Sequence, residues 1–251
     1  MEESPTQEHS PVVELRQYTL RPGQRDVLID LFDRLFVEGQ EGAGITVIGQ
    51  FRDLDAEDRF VWLRSFPDME SRARSLAAFY DGPVWRAHRD AANATMVDSD
   101  NVLLLRPAHP GSMFHPPGGR TAGGSRRVAH AAPVGAAVYA LHDLAAEARI
   151  VSWFESVTAG RIAAAGGTVL AYLVTDPREN NFPRLPVRQD IRVFVWLAGA
   201  DDPVSLNRVL IPAVTEVPPD TSDQQWVLRL APTARSRLHG RVFGMPRSDG
   251  T

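Results

Sequence analysis

The chain has no cysteine and no lysine among its 251 residues. The first absence removes disulfides, thiolate nucleophiles and cysteine-bound metal. The second removes side-chain Schiff-base chemistry, because all 27 basic residues are arginine. Complete use of arginine, with abundant alanine and glycine, is the composition of a GC-rich bacterial genome. A large charge of either sign is also missing. The net charge of -4 favours neither nucleic acid nor an anionic membrane as a partner. No stretch approaches the ~18 apolar residues of a membrane span. The opening MEESPTQEHS is polar, without an apolar run behind a basic start, so the expected location is the cytoplasm.

Several motifs are absent as well. No G-x-G-x-x-G or G-x-x-x-x-G-K is present, which disfavours nucleotide cofactors, and no G-x-S-x-G marks a serine nucleophile. The seven histidines (9, 88, 109, 115, 130, 142 and 239) form no H-x-H or H-x-x-x-H pair, so no metal site is expected. Haem needs only one axial histidine and an apolar pocket, which leaves it open with His88 or His142 as ligand. Otherwise no cofactor is expected.

The residues that are present spell out a repeated plan. VVELRQYTL (12–20) is a strand by its length and β-branched content. Val27, Leu28, Leu31, Phe32, Leu35 and Phe36 then form one apolar helical stripe, ended by EGAG. TVIGQFRD (46–53) and DRFVWLRSF (58–66) read as a hairpin. A helical region over about 68–97 is broken at Asp81-Gly82-Pro83, and DNVLLLRP (100–107) is a fourth strand. Strand, helix, strand, strand, helix, strand is the ferredoxin-like order. The Pro/Gly-rich stretch 108–133 cannot bury a core and reads as a linker or flap.

The plan then recurs from Val134, and FVWL occurs at 60–63 and again at 194–197. The expected organisation is an arm at 1–11, repeats at 12–107 and 134–233, the linker between them, and a tail at 234–251. From Val12 to Phe60 is 48 positions but from Val134 to Phe194 is 60, so the second copy gains about twelve residues, as PRENNFPRLPVRQD. It loses about ten where the first copy has FYDGPVWRAHRD. Divergence at two places fits either a site built from both halves or drift in surface loops.

VVELRQYTLRPG, DGPVWRAHRDAANATM, NNFPRLPVRQDIRVFVWLA and LRLAPTARSRL, in that order, resemble the NIPSNAP family of the dimeric α/β-barrel superfamily. The resemblance implies an α+β fold. Two ferredoxin-like repeats, with antiparallel sheets and helices outside, close a barrel within one chain. It implies no single reaction, because the superfamily includes cofactor-free monooxygenases, isomerases and haem proteins. A homodimer of such barrels stays open.

Candidate site residues follow from shared faces. Trp85, His88 and Arg89 lie on one helix face, with His88 as acid/base or, on the bland reading, bonded to backbone. Arg16 and Tyr18 alternate on the first strand, and Trp62 and Arg64 on the third. If they face inward, Arg16 and Arg64 would hold an anionic group, and Tyr18, Trp62 and Trp85 would shape a cavity inside the barrel. The alternative is rim salt bridges to Glu14, Asp58 or Asp68. Asn180, Asn181, Phe182 and Arg184 in the gained loop cap the cavity or brace the barrel end. Tyr172 adds a second-half aromatic. The expected function is a cofactor-independent enzyme acting by proton transfer, rearrangement or oxygenation. Its small aromatic or polyketide-like ligand would belong to bacterial secondary metabolism. A haem protein and a non-catalytic binding or scaffold module are the alternatives.

Overall fold

The computed structural model describes residues 11–114, 132–215, 217–219, 221–222 and 224–240. Nearly all of the arm, His115 and His130 of the linker, and the tail beyond 240 lie outside these residues. In the first repeat, β1 (Val12–Leu20) leads to α1 (Arg25–Leu31), a π-helical turn (Phe32–Phe36) and α2 (Val37–Gly42). The hairpin β2 (Thr46–Asp53) and β3 (Arg59–Phe66), α3 (Met69–Tyr80), α4 (Pro83–Thr95) and β4 (Met96–Pro107) follow. The second repeat runs β5 (Val134–Leu141), α5 (Leu144–Trp153), a π-helical turn (Phe154–Thr158), α6 (Ala159–Ala164) and β6 (Thr168–Thr175). It ends with β7 (Arg192–Gly199), α7 (Pro203–Ala213) and β8 (Gln224–Pro232).

Local chemistry sets the helix ends. The side chains of Asp68, Asp143 and Asp202 cap α3, α5 and α7 by accepting backbone N–H bonds at 2.6–2.9 Å. Between α3 and α4, a Cβ on Gly82 would lie 2.7 Å from the Ala78 carbonyl, and Pro83 starts the next helix without needing an N–H partner. The fourth strand begins at Met96, four residues before its expected start at Asp100, because Met96 already leaves helical geometry.

The eight strands close a barrel in the order β1-β3-β2-β8-β5-β7-β6-β4. Each repeat supplies four neighbouring strands, and β2–β8 and β4–β6 are the two seams. Two local features recur. Register shifts occur at Val47/Gly49 and Val169/Ala171, and both π-turns fall at the same place in their helices. Each repeat also sends its trailing segment across the other. Ser112 and Ser236 lie beside β6 and β2, and Phe114 and Leu238 enter the barrel core.

Arg16, Tyr18, Trp62 and Arg64 do not face the barrel interior. The barrel interior is filled by Val13, Leu15, Val61, Leu63, Val138 and Val195 with their aliphatic neighbours. Arg16, Tyr18, Trp62 and Arg64 point the other way, into the layer beneath the helices. An eight-stranded barrel is only wide enough for side chains to fill. Indole rings and guanidiniums therefore go where helices can stand off the sheet. Every strand of the first repeat is buried on both faces over part of its length, so alternation alone did not show which face was inside.

Candidate functional site: a cavity between sheet and helices

Under the helices of the first repeat sits a buried ion cluster. Cross-strand pairing places Glu14 opposite Arg64, Arg16 opposite Trp62 and Tyr18 opposite Phe60 on one face. Glu14 Oε2 accepts from Arg16 Nη1 at 2.7 Å and from Arg64 Nε at 2.8 Å, and Oε1 accepts from Arg72 Nε at 2.7 Å. Side chains of all four are no more than 1% exposed. Arg64 also donates to Gln40 Oε1 at 3.1 Å and lies 5.0 Å from the Trp62 ring centre. Burial alone would lift the Glu14 carboxyl. Arg64, Arg16 and Arg72 outweigh it and hold the group well below the usual carboxylate range.

Arg16 carries the cluster to a surface. Its Nε donates to the Tyr18 hydroxyl at 2.9 Å. Both residues line a cavity of about 400 Å³ with Tyr80, Asp81, Trp85, Arg86, Arg89 and, from the second repeat, Phe182, Arg184 and Leu185. Burial, opposed by Arg16, pushes the Tyr18 phenol above its ordinary value, so it is a neutral donor at physiological pH. Its own hydroxyl hydrogen has no acceptor among the described residues, and neither does Arg16 Nη2. The aromatic wall is continuous: Tyr80 and Trp85 ring centres are 4.8 Å apart, and Tyr80 and Phe182 6.1 Å.

The two places where the repeats diverge meet here. The helix α4 exists only in the first repeat, and the loop 176–191 between β6 and β7 is long only in the second. Arg184 clasps Asp81 with bonds of 2.8 and 3.0 Å, at the break between α3 and α4. Asn180 and Asn181 accept from Arg72 Nη1 at 3.0 and 2.7 Å, and Asn181 donates to the Met69 carbonyl. Phe182 is buried in the first repeat's core. The loop thus both braces the first repeat and walls its cavity.

Arg16, Tyr18, Trp85, Arg89, Phe182 and Arg184 come together on that cavity. Trp62 and Arg64 support it from beneath, and Asn181 anchors the loop. His88 is half-buried on α4 but is not among the lining residues. Tyr172 lies in the other repeat, where its hydroxyl meets His109 Nε2 at 2.5 Å and Glu155 at 2.9 Å. Burial and then Glu155 push that phenol up to about 12. His142 lines a separate polar pocket with Asp176, Arg178, Arg188 and Arg192. The ion pairs that the alternative reading put at the rim are instead central, with Glu14 as their hub. Arg72 and Tyr80 were not singled out from sequence. The available signal for Arg72 was its place in the stripe with Ser75, Leu76 and Phe79 at helical spacing.

This is a dimeric α/β barrel with both halves fused in one chain, its cavity lying between sheet and helices and not in the lumen. Residues 13–110, nearly the whole first repeat, match the NIPSNAP family. A NIPSNAP-like domain protein from Burkholderia xenovorans is 28% identical over 38% of this chain and 84% of its own, with a TM-score of 0.35. A candidate monooxygenase from Lactobacillus acidophilus NCFM matches 92% of this chain and 98% of its own, at 11% identity and TM-score 0.54. Another from Fusobacterium nucleatum matches 89% and 92%, at 9% identity and TM-score 0.55. The last two share the fold across both repeats. No curated protein matches the chain.

Proposed function

We propose that the protein is an enzyme that binds a small aromatic molecule in the first repeat's cavity and transfers a proton at one of its oxygens. The observation that carries this reading is the Arg16–Tyr18 pair. A phenol polarised by a buried guanidinium presents an unused O–H to a cavity walled by Tyr80, Trp85 and Phe182. The aromatic wall fits a planar ring, and Tyr18 donates to the oxygen where negative charge develops. Arg16 holds Tyr18 in place and stabilises that charge. Proton transfer of this kind is the first act of a rearrangement, and of an oxygenation such as the two fold relatives' descriptions suggest.

The test is a panel of hydroxylated and keto aromatics incubated with the protein and no added cofactor, with products followed by mass spectrometry. Tyr18→Phe is expected to keep binding, read by tryptophan fluorescence, and to lose turnover by about 10²-fold or more. Equal turnover by wild type and Tyr18→Phe would end the assignment. The haem alternative draws no support from the cavity, because none of its lining residues is a histidine.

A further inference from the structure

The buried cluster holds three arginines against one glutamate, and the cavity wall adds Arg86, Arg89 and Arg184 against Asp81 and Asp100. A purely structural ion network in a dry layer would be expected to balance, because an uncompensated buried charge is costly. The molecule contains its own control. Register equates Trp62 with Trp196 and Tyr18 with Tyr139. It therefore equates Glu14, Arg16 and Arg64 with Gly135, Ala137 and Ala198. The equivalent π-turns likewise equate Gln40 with Ile162. The second repeat builds the same sheet-and-helix layer from uncharged residues at all these positions, so the fold does not need the arginines.

We propose that the cavity takes a phenol or enol as its oxyanion, the bound anion serving as the missing counter-charge of the arginine cluster. The inference rests on the cavity reading above and adds the ionisation state of the ligand. On binding, the ligand O–H bond breaks and its proton leaves to bulk water. The oxyanion then accepts from the Tyr18 O–H and from Arg16 Nη2, two cavity-lining donors without protein partners among the described residues. Arg86, Arg89 and Arg184 at the mouth draw the anion in.

The probe is 4-nitrophenol, colourless as the phenol and yellow as the phenolate, with 4-nitroanisole as an analogue that cannot ionise. Both are titrated into the full chain at a pH where free nitrophenol is protonated, with binding read by tryptophan fluorescence and ionisation by absorbance. The expected result is a yellow complex whose phenolate-to-phenol ratio exceeds that of the free probe by at least about tenfold, one pKa unit. Arg16→Gln is expected to bind nitrophenol without the colour. If that variant does not fold, Tyr18→Phe, which removes one oxygen from an aromatic layer, should reduce the colour shift. If nitrophenol binds and stays colourless, or binds no better than nitroanisole, the anion is wrong and the cavity stands. If neither probe quenches fluorescence, the cavity reading falls with it.

Discussion

The two helix-covered layers of this protein are the same construction used differently. Both centre on a tryptophan and a tyrosine on adjacent strands, Trp62 with Tyr18 and Trp196 with Tyr139. In the second layer Trp196 Nε1 donates to the Tyr139 hydroxyl at 3.3 Å, uncharged aliphatic and aromatic side chains fill the space around them, and α7 lies close on the sheet. In the first layer Arg16 takes the Tyr18 hydroxyl, and Trp62 Nε1 is left without a hydrogen-bond acceptor among the described residues. A cavity opens beside them. The difference separates what holds a repeat together from what one repeat has been given in addition.

The largest expected effect comes from removing the hub of the charged layer. Glu14→Gln leaves three buried arginines without a carboxylate and should cost about 3–5 kcal/mol in urea unfolding. A loss below about 1 kcal/mol would mean that solvent or an anion already compensates them. The same group sets an acid limb. Its folded pKa lies below the unfolded value, so its contribution is present above about pH 4.5 and declines as pH falls toward the folded value. The slope should be about 1.4 kcal/mol per pH unit for this group, and Glu14→Gln should flatten it.

A second comparison pairs Asp33 with Glu155, each the second residue of its π-turn. Glu155 is exposed beside His109, whose pKa is raised by the Pro110 carbonyl and then Glu155. Asp33 lies under the segment after β8, accepts from Thr233 Oγ1 at 3.1 Å, and is pushed up to about 6 by burial. A raised carboxyl favours the folded state at low pH, and that advantage is lost as pH rises through about 6. Asp33→Asn should therefore stabilise the protein by about 2 kcal/mol at pH 8 and by little at pH 4, while Glu155→Gln changes little at either. Thermal melts at the two pH values check this.

Gly135→Ala probes the close-packed layer. Its new Cβ would fall 2.7 Å from Leu210 Cδ2 and 3.0 Å from Leu206 Cδ1, and should cost about 1–3 kcal/mol in the same unfolding assay. A neutral result would show that α7 can shift away from the sheet to make room. The smallest effect on stability is expected for Arg184→Ala, because its pair with Asp81 is exposed. Its melting temperature should match wild type while the affinity for aromatic anions falls severalfold.

Much of the fold was legible. The strand and helix order followed from short β-branched runs, a helical stripe and the Asp81-Gly82-Pro83 break. The FVWL repeat exposed the duplication. The NIPSNAP resemblance and the closed barrel are both borne out. The site was only half legible. Arg16, Tyr18, Trp62 and Arg64 were grouped by parity, but parity left open which side of the sheet they face, and the inward alternative does not hold. His88 and Arg89 were placed with Trp85 on one helix face, but of the two only Arg89 lines the cavity. Arg72 differs from Arg74 only in its phase on α3, and one is buried while the other is exposed.

By itself the sequence determined the elements, the duplication and which residues share a face, because these depend on periods of 2 and 3.6 and on residues close in the chain. Tertiary structure alone decided which face lies under the helices. In a barrel wrapped by helices both faces are dry, and hydrophobic alternation loses its direction. It alone also brought the loop carrying Arg184 to Asp81, 103 residues away, because such a meeting depends on how two four-stranded sheets join along their seams and not on any local preference.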